Sequence, residues 1–282
     1  MQFGCSMFIT DHTIAPDELA RAVEERGFDS LWMPEHPHIP SERVTPFPGT
    51  NSIDMPEWYF RSYDPFVCLS MAAAATTTLK VGTAICLVIE REPIVMAKQV
   101  ASIDRLSGGR FLFGVGAGWL AEEMEALGTP FKQRWAVARE RVEAMKALWA
   151  NEEAEYHGEH VTIERTSVRP APVQQPHPPI YIGAGTKWSR QRVVEWADGW
   201  LPLFKAPQEL AAEIADLRER AERIGRDPGS VSVTLYGTRP DAAWLDAYEE
   251  MGVDRCLFDL PSAYADKVIP ILDDLAKLVA DR

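Results

Sequence analysis

Apolar residues along this chain fall into short runs separated by amphipathic stretches, and the alternation repeats from one end to the other. Residues 2–7 form the first run. A helical pattern over 16–26 follows, with Pro16 at the first helical position, Asp17 and Glu18 at the positive end of the helix dipole, and Gly27 at the exit. Further strand-like runs occupy 28–33, 80–88, 111–115, 180–182, 199–203, 231–236 and 253–258. The helical patterns after them cover 64–75, 93–106, 134–151, 188–196, 207–224, 240–251 and 262–280, the last carrying Tyr264, Val268, Ile271, Leu275 and Leu278 on one face. Eight strands, each followed by a helix, predict an α/β fold of the (β/α)8 TIM-barrel type. One domain spans 1–282. The gap between the fourth and fifth strands is too long for a normal crossover, which predicts an insertion at approximately 119–178. That segment holds the 134–151 helix, whose stripe of Trp135, Ala138, Val142, Met145 and Trp149 reads as core, and a small hairpin over 155–164.

The stretch 104–119, DRLSGGRFLFGVGAGW, changes this picture from architecture to chemistry. Ser107, Gly108 and Gly109 end a helix, an apolar strand follows, and Gly114, Gly116 and Gly118 then recur at every second position. A backbone face without side chains admits something flat or anionic. Tight packing of a strand against its neighbours explains the same glycines equally well.

Composition narrows the partners. With a net charge of -13 the chain lacks the basic balance that nucleic-acid binding needs. No apolar run reaches the roughly 18 residues of a membrane helix, and the amino terminus has no leader pattern, so a cytoplasmic protein is expected. Cys5, Cys68, Cys86 and Cys256 are widely spaced, without a C-x-x-C pair, and read as reduced, buried fillers.

A barrel of this kind keeps its site at the carboxyl ends of the strands. Candidates there are Glu35 and His36 after strand two, Ala84 and Ile85 in strand three, Gly116, Ala117, Gly118 and Trp119 after strand four, and Gly183, Ala184, Gly185 and Thr186 after strand five. The last loop opens onto a helix amino terminus, where free N–H groups favour a phosphate; Lys187, Arg190, Arg192 and Lys205 add positive charge nearby. His36 can exchange a proton near neutral pH, with Glu35 tuning it. The proline-rich loop 38–63 ends in Trp58, Tyr59, Phe60 and Tyr63, of which Trp58, Tyr59 and Tyr63, with Lys205, are candidates for substrate contact. His36 and His38 form an H-x-H pair, but no third ligand is evident, so no metal is expected. The G-V-G-A-G spacing also lacks the third glycine of a dinucleotide fingerprint.

The run LSGGRFLFGVGAGW with the following Glu122, Glu123, Ala126, Leu127 and Gly128, the earlier GFDSLWMPEH, and the later PPIYIGAG and ADGWLP resemble the luciferase-like monooxygenase superfamily. The segment from SYDPF to VGTAI is most similar to the actinobacterial branch that uses the deazaflavin coenzyme F420. This resemblance implies a flavin-like ring at the barrel mouth and a non-prolyl cis peptide in the strand-three bulge, by position Ala84–Ile85. It further implies that His36 lies near the redox centre, Gly116 to Trp119 at the ring edge, and Gly183 to Thr186 at the phosphate. The activity implied is hydride transfer between F420 and a small organic molecule, in a homodimer. The alternatives are an FMN-dependent monooxygenase and a non-catalytic flavin-binding protein. Two departures stand out: Glu92 replaces the His that many relatives place before the helix-starting proline, and Glu35 replaces an Asp.

Overall fold

Each of the eight apolar runs becomes a parallel strand in a computed structural model that describes residues 1–280 and 282. The first half of the chain gives β1 (Gln2–Ser6), α1 (Pro16–Glu25), β2 (Ser30–Met33), the single-turn α2 (Trp58–Arg61) and α3 (Pro65–Ala74). Strand three is split into β3 (Lys80–Thr83) and β4 (Cys86–Leu87), and α4 (Pro93–Leu106) and β5 (Phe111–Gly116) follow. Between β5 and the next barrel strand lie α5 (Ala121–Ala126), α6 (Arg134–Ala150) and the antiparallel hairpin β6 (Ala154–His157) and β7 (Thr162–Thr166). The second half runs β8 (Ile180–Ile182), α7 (Lys187–Trp196), β9 (Gly199–Trp200), α8 (Pro207–Arg223), β10 (Ser232–Tyr236), α9 (Ala242–Glu250), β11 (Arg255–Asp259) and α10 (Ala265–Val279).

The sheet closes on itself. β1 pairs with β2 on one side and β11 on the other, and the order continues through β10, β9, β8 and β5 back to β3. Helix starts are set by local chemistry: Asp64 accepts the Val67 amide at 3.1 Å and Glu92 the Val95 amide at 2.8 Å, each just before a proline. Glu92, one of the two departures noted above, is therefore the amino-terminal cap of α4. The stripe of α10 is Val268, Leu272 and Leu275; Tyr264 and Ile271 are exposed, because the helix begins one residue after Tyr264 and its buried row steps by four and three from Val268. The four cysteines are free and buried. Among the described residues, no helix is long and apolar enough to cross a membrane.

The split in strand three shapes the barrel mouth. Val81 and Gly82 face Phe111 and Leu112 on β5, whereas Cys86 and Leu87 face Val115 and Gly116, so one extra residue has entered the strand: a bulge. Within it the Ala84–Ile85 bond is cis, at the position the family resemblance implied. The glycines at period two make room for this bulge. A Cβ on Gly114 would lie 1.9 Å from the Thr83 carbonyl oxygen, and one on Gly116 2.6 Å from Cδ1 of Ile85. On the next strand loop, a Cβ on Gly183 would lie 2.3 Å from Cγ2 of Ile85.

Candidate active site

At the carboxyl ends of the strands lies a cavity of about 540 Å³, within the range that takes a small-molecule cofactor or ligand. Its wall is mostly apolar and aromatic. Phe8, Phe47, Tyr59, Trp119, Trp135 and Tyr236 surround it, and Ala84, Ile85 and Leu87 of the bulge form part of the same wall.

His36 enters this wall from the end of β2, between the rings of Tyr59 (5.0 Å between centroids) and Trp119 (6.0 Å). Its Nδ1 meets the Glu123 carboxylate from α5 at 2.8 and 3.0 Å, and both side chains are buried, at 7% and 1% exposure. Burial drives the imidazole down to about 4, against a smaller upward pull from the charge of Glu35. Burial drives Glu123 up to about 8; the His38 amide pulls it down and the charge of Glu35 adds to the rise. Over the pH range between these values the pair holds two protons, one on Nε2 and one in the Glu123–Nδ1 hydrogen bond. With Nδ1 engaged by Glu123, Nε2 is the donor in this state, and loss of one proton turns that nitrogen into an acceptor.

Glu35 does more than its place beside His36 suggested. Its carboxylate accepts the Leu87 amide at 2.8 Å and Nε of Arg91 at 2.7 Å, with a second bond to the same guanidinium. It takes up the backbone amide of Leu87 just beyond the bulge and reaches His36 through its field. Arg91 in turn pairs with Asp64 at 2.6 Å.

The loop after β2 covers the cavity through Phe47 and Tyr59, whose rings meet edge-on at 5.4 Å; Phe47 also meets Trp119 at 5.7 Å. Glu122 holds this loop by accepting the amides of Val44 (2.7 Å) and Thr45 (2.9 Å). Burial pushes its carboxyl up, but these amides outweigh that and leave it at about 2. Of the aromatics expected to contact substrate, Tyr59 lines the cavity, while Trp58 and Tyr63 point largely to solvent at 41% and 44% exposure. Lys205 is held by Glu209 (3.1 Å) and Glu213 (2.9 Å).

Ala117, Gly118 and Trp119, and Gly183, Ala184 and Thr186, are on the cavity wall. Gly116 and Gly185 are not on it: Gly116 faces Ile85, and Gly185 faces the Lys205 side chain, 3.6 Å from a built Cβ. The loop before α7 is fixed at its carbonyl of Ala184, which accepts from Trp200 Nε1 (2.7 Å) and Ser189 Oγ (3.0 Å). Thr186 and Ser189 form a reciprocal cap, so the Thr186 hydroxyl accepts the Ser189 amide at 3.1 Å. The cap takes up the Ser189 amide and the Thr186 carbonyl the Arg190 amide, which leaves the amides of Lys187 and Trp188 for an anion.

Two arginines stand near this end. Arg134 lines the cavity, lies over the Phe131 ring at 3.8 Å, and keeps a buried Nε without a partner. Arg192 lies over Trp135 at 4.5 Å. Burial lowers the pKa of both, and the charge of Arg134 lowers Arg192 further. Arg190, by contrast, is taken up by Glu213 (3.1 Å) and Asp216 (2.6 Å). Trp135, read from the sequence as core, belongs to the cavity because it sits in the first turn of α6, above the buried stripe of Val137, Ala138, Val142 and Met145. Sequence reasoning also passed over Glu123, Phe47, Arg134 and Tyr236. Glu123 had one signal, its place in the family-like run after Trp119; Phe47 lies in the loop 38–63 and Tyr236 at the carboxyl end of the seventh predicted strand, while Arg134 had none, since only the fold carries it to the mouth. Among the described residues, no group of three His, Cys, Asp or Glu side chains is placed to hold a metal.

Comparison with known proteins matches this architecture. An uncharacterized protein of Mycobacterium tuberculosis, Rv0953c, is 36% identical over 282 residues, covering 99% of both chains. The FMNH2-dependent dimethylsulfone monooxygenase of Pseudomonas putida is 31% identical over 155 residues, 54% of this chain and 42% of that protein. The monooxygenase RslO1 from Streptomyces bottropensis superposes with a TM-score of 0.81 at 18% identity, covering 100% of this chain and 99% of that one. An F420-dependent secondary alcohol dehydrogenase superposes with 0.77 at 18% identity, covering 99% of each. Residues 16–240 match the luciferase-like monooxygenase family, to which this chain belongs.

Proposed function

We propose that this protein is an oxidoreductase that moves a hydride between a small, largely apolar organic substrate and a bound deazaflavin coenzyme of the F420 type, with His36 and Glu123 handling the accompanying proton. The observation that carries the reading is the buried His36–Glu123 pair, set in the wall of an aromatic cavity beside the strand-three bulge.

The residues present fit such a group. Aromatic and aliphatic walls suit a flat ring; the amides at the start of α7 suit a phosphate; Arg134, with its unpartnered Nε, and Arg192 suit further negative charge. Bound there, a deazaflavin would supply a ring carbon that takes up or gives back a hydride. The chain's own tasks are then orientation, exclusion of water and proton management. Oxidation of an alcohol releases a hydride and a proton, and the proton goes to Nε2 of His36. In the reverse direction Nε2 gives a proton to the carbonyl oxygen as the hydride arrives. Phe47 and Tyr59 cover the site, and Tyr236, whose hydroxyl donates to Asp259 at 3.3 Å, completes part of the cavity wall.

The full-length superposition on the F420-dependent alcohol dehydrogenase is in keeping with this reading, and the equally complete superposition on the monooxygenase RslO1 is in keeping with its rival. The rival is an FMN-dependent monooxygenase, favoured by the similarity to the dimethylsulfone enzyme over 155 residues. The two separate by their need for oxygen. Anaerobic turnover of F420 with a panel of secondary alcohols, ketones and enones is expected here; turnover that requires reduced FMN and oxygen would install the rival. We also propose a cytoplasmic homodimer. α3 carries no charged residue and presents Val67 and Met71 outward beside Val95 of α4, an apolar face suited to a second copy.

A further inference from the structure

Asp259 ends β11 with its side chain turned into the barrel mouth. Side chains alternate along a strand, and the inward row of β11 holds Arg255, which lies over the Trp32 ring, and Leu257, which packs with Trp32 and Leu201 inside the barrel. Asp259 is the next member of that row and, unlike the two below it, is exposed. In strand order β11 lies opposite β5, so the carboxylate stands across the mouth from Gly116 and the bulge packed on it.

Neighbouring strands supply its partners. Ser6 of β1 is in register with Asp259 and its hydroxyl donates to Oδ1 at 3.1 Å; the Tyr236 hydroxyl from β10 donates to the same oxygen at 3.3 Å. Oδ2 is left without a protein donor, and among the described residues no lysine, arginine or histidine pairs with Asp259. Partial enclosure by the mouth raises its carboxyl, against the pull of the two hydroxyls, and a cation beside it would reverse that rise.

The wall next to it is aromatic. Phe8, two residues beyond Ser6, lines the cavity with Tyr59 and Tyr236, and its ring lies 4.7 Å from that of Tyr59. Aromatic faces attract a cation, and an unpaired carboxylate behind them adds the opposite charge that fixes its position. An anion would be repelled there, and a neutral apolar group would leave Oδ2 unused.

We propose that the substrate carries an ammonium group on its apolar body, held between the Asp259 carboxylate and the rings of Phe8, Tyr59 and Tyr236. With the hydride transfer proposed above, this names amino alcohols and amino ketones: the ammonium is the anchor, and the alcohol or carbonyl carbon reacts. Asp259 is then a specificity-determining residue. The inference rests on the reading of this cavity as a substrate site, but its test needs no coenzyme.

The test is calorimetric titration of the ligand-free protein with phenethylammonium, with phenethyl alcohol and with hydrocinnamate, which share an apolar body and differ in charge. The ammonium compound is expected to bind at least about tenfold more tightly than the alcohol, and the anion most weakly. Asp259→Asn should erase the preference for the ammonium compound while leaving the affinity for the alcohol within about twofold. Equal or tighter binding of the alcohol by wild type, binding of none of the three, or a preference that survives in Asp259→Asn would overturn the proposal. If that variant fails to fold, magnetisation transfer between the bound ammonium compound and the rings of Phe8 and Tyr236 in wild type decides; its presence is expected, and its absence overturns the proposal. A protein that prefers the ammonium compound but turns over no F420 would sink the hydride reading alone, and F420 turnover without that preference would sink only this one.

Discussion

The Glu123 carboxylate lies 2.8 Å from Nδ1 of His36, and the two residues come from different barrel units, 87 positions apart. Burial opposes charge on each of them, so the pair keeps its protons as a unit and offers Nε2 to the cavity. Replacing Glu123 with Gln keeps the shape and removes the proton store. Turnover is expected to fall by about 10²–10⁴-fold, the usual contribution of a general acid or base, with coenzyme affinity little changed. A variant with wild-type turnover would remove Glu123 from the mechanism.

The same pair predicts opposite pH limbs for the two reaction directions. Below about 8 Glu123 holds its proton and Nε2 is a donor; above it the pair has lost one proton and Nε2 accepts. Carbonyl reduction should therefore fall as the pH rises through about 8, and alcohol oxidation should rise. Initial rates in both directions measure this, and limbs that persist in Glu123→Gln would assign them elsewhere.

Glu122, the neighbour of Glu123, holds the covering loop through the amides of Val44 and Thr45. Hydrogen bonds to a charged group contribute roughly 1.5–3 kcal/mol each, so Glu122→Ala should loosen the loop. The expected result is a KM raised at least several-fold while the dissociation constant for coenzyme stays within about twofold. Increased cutting by protease within residues 38–57 would accompany it.

Packing at the bulge makes a prediction about stability. A methyl group on Gly116 collides with the Ile85 side chain, and overpacking of this kind costs about 1–3 kcal/mol. Urea unfolding of Gly116→Ala should show that loss, and trimming Ile85 to Ala in the same chain should return part of it, a coupling of ~0.5–3 kcal/mol. Gly114→Ala should cost more and find no such rescue, since its methyl meets the Thr83 backbone carbonyl.

These glycines show what the sequence could and could not reveal. Strand number and order followed from the spacing of apolar runs, and the helix start at Asp64 was legible because a cap acts within three residues, whereas Glu92 drew notice only as a departure from the family and not as the cap it is. The use of Gly116 was not legible. Its missing side chain suited a ligand and tight packing equally, and the space is filled by Ile85 from another strand, a contact that periodicity cannot register. Glu35 was legible only in part: its charge does act on His36, but adjacency in sequence said nothing about Leu87 and Arg91, more than 50 positions away, which hold it. Arg134 and Trp135 looked like the start of an ordinary barrel helix. They reach the cavity because that helix begins at the mouth.

The apolar outer face of α3 tests the homodimer. Sedimentation of the wild-type protein should give twice the chain mass of 31.6 kDa, and the double variant Val67→Glu, Met71→Glu should sediment as one chain. A wild-type monomer would refute the proposal.

The central claim is that the cavity holds a deazaflavin with an anionic tail, and equilibrium titration of the ligand-free protein with F420 and with FMN, following the spectrum of the bound ring, tests it most directly. Saturable binding of one F420 per chain, at least tenfold tighter than FMN and weakened at least tenfold in Arg134→Ala, is the predicted result. Tighter binding of FMN, or binding of neither, would contradict it.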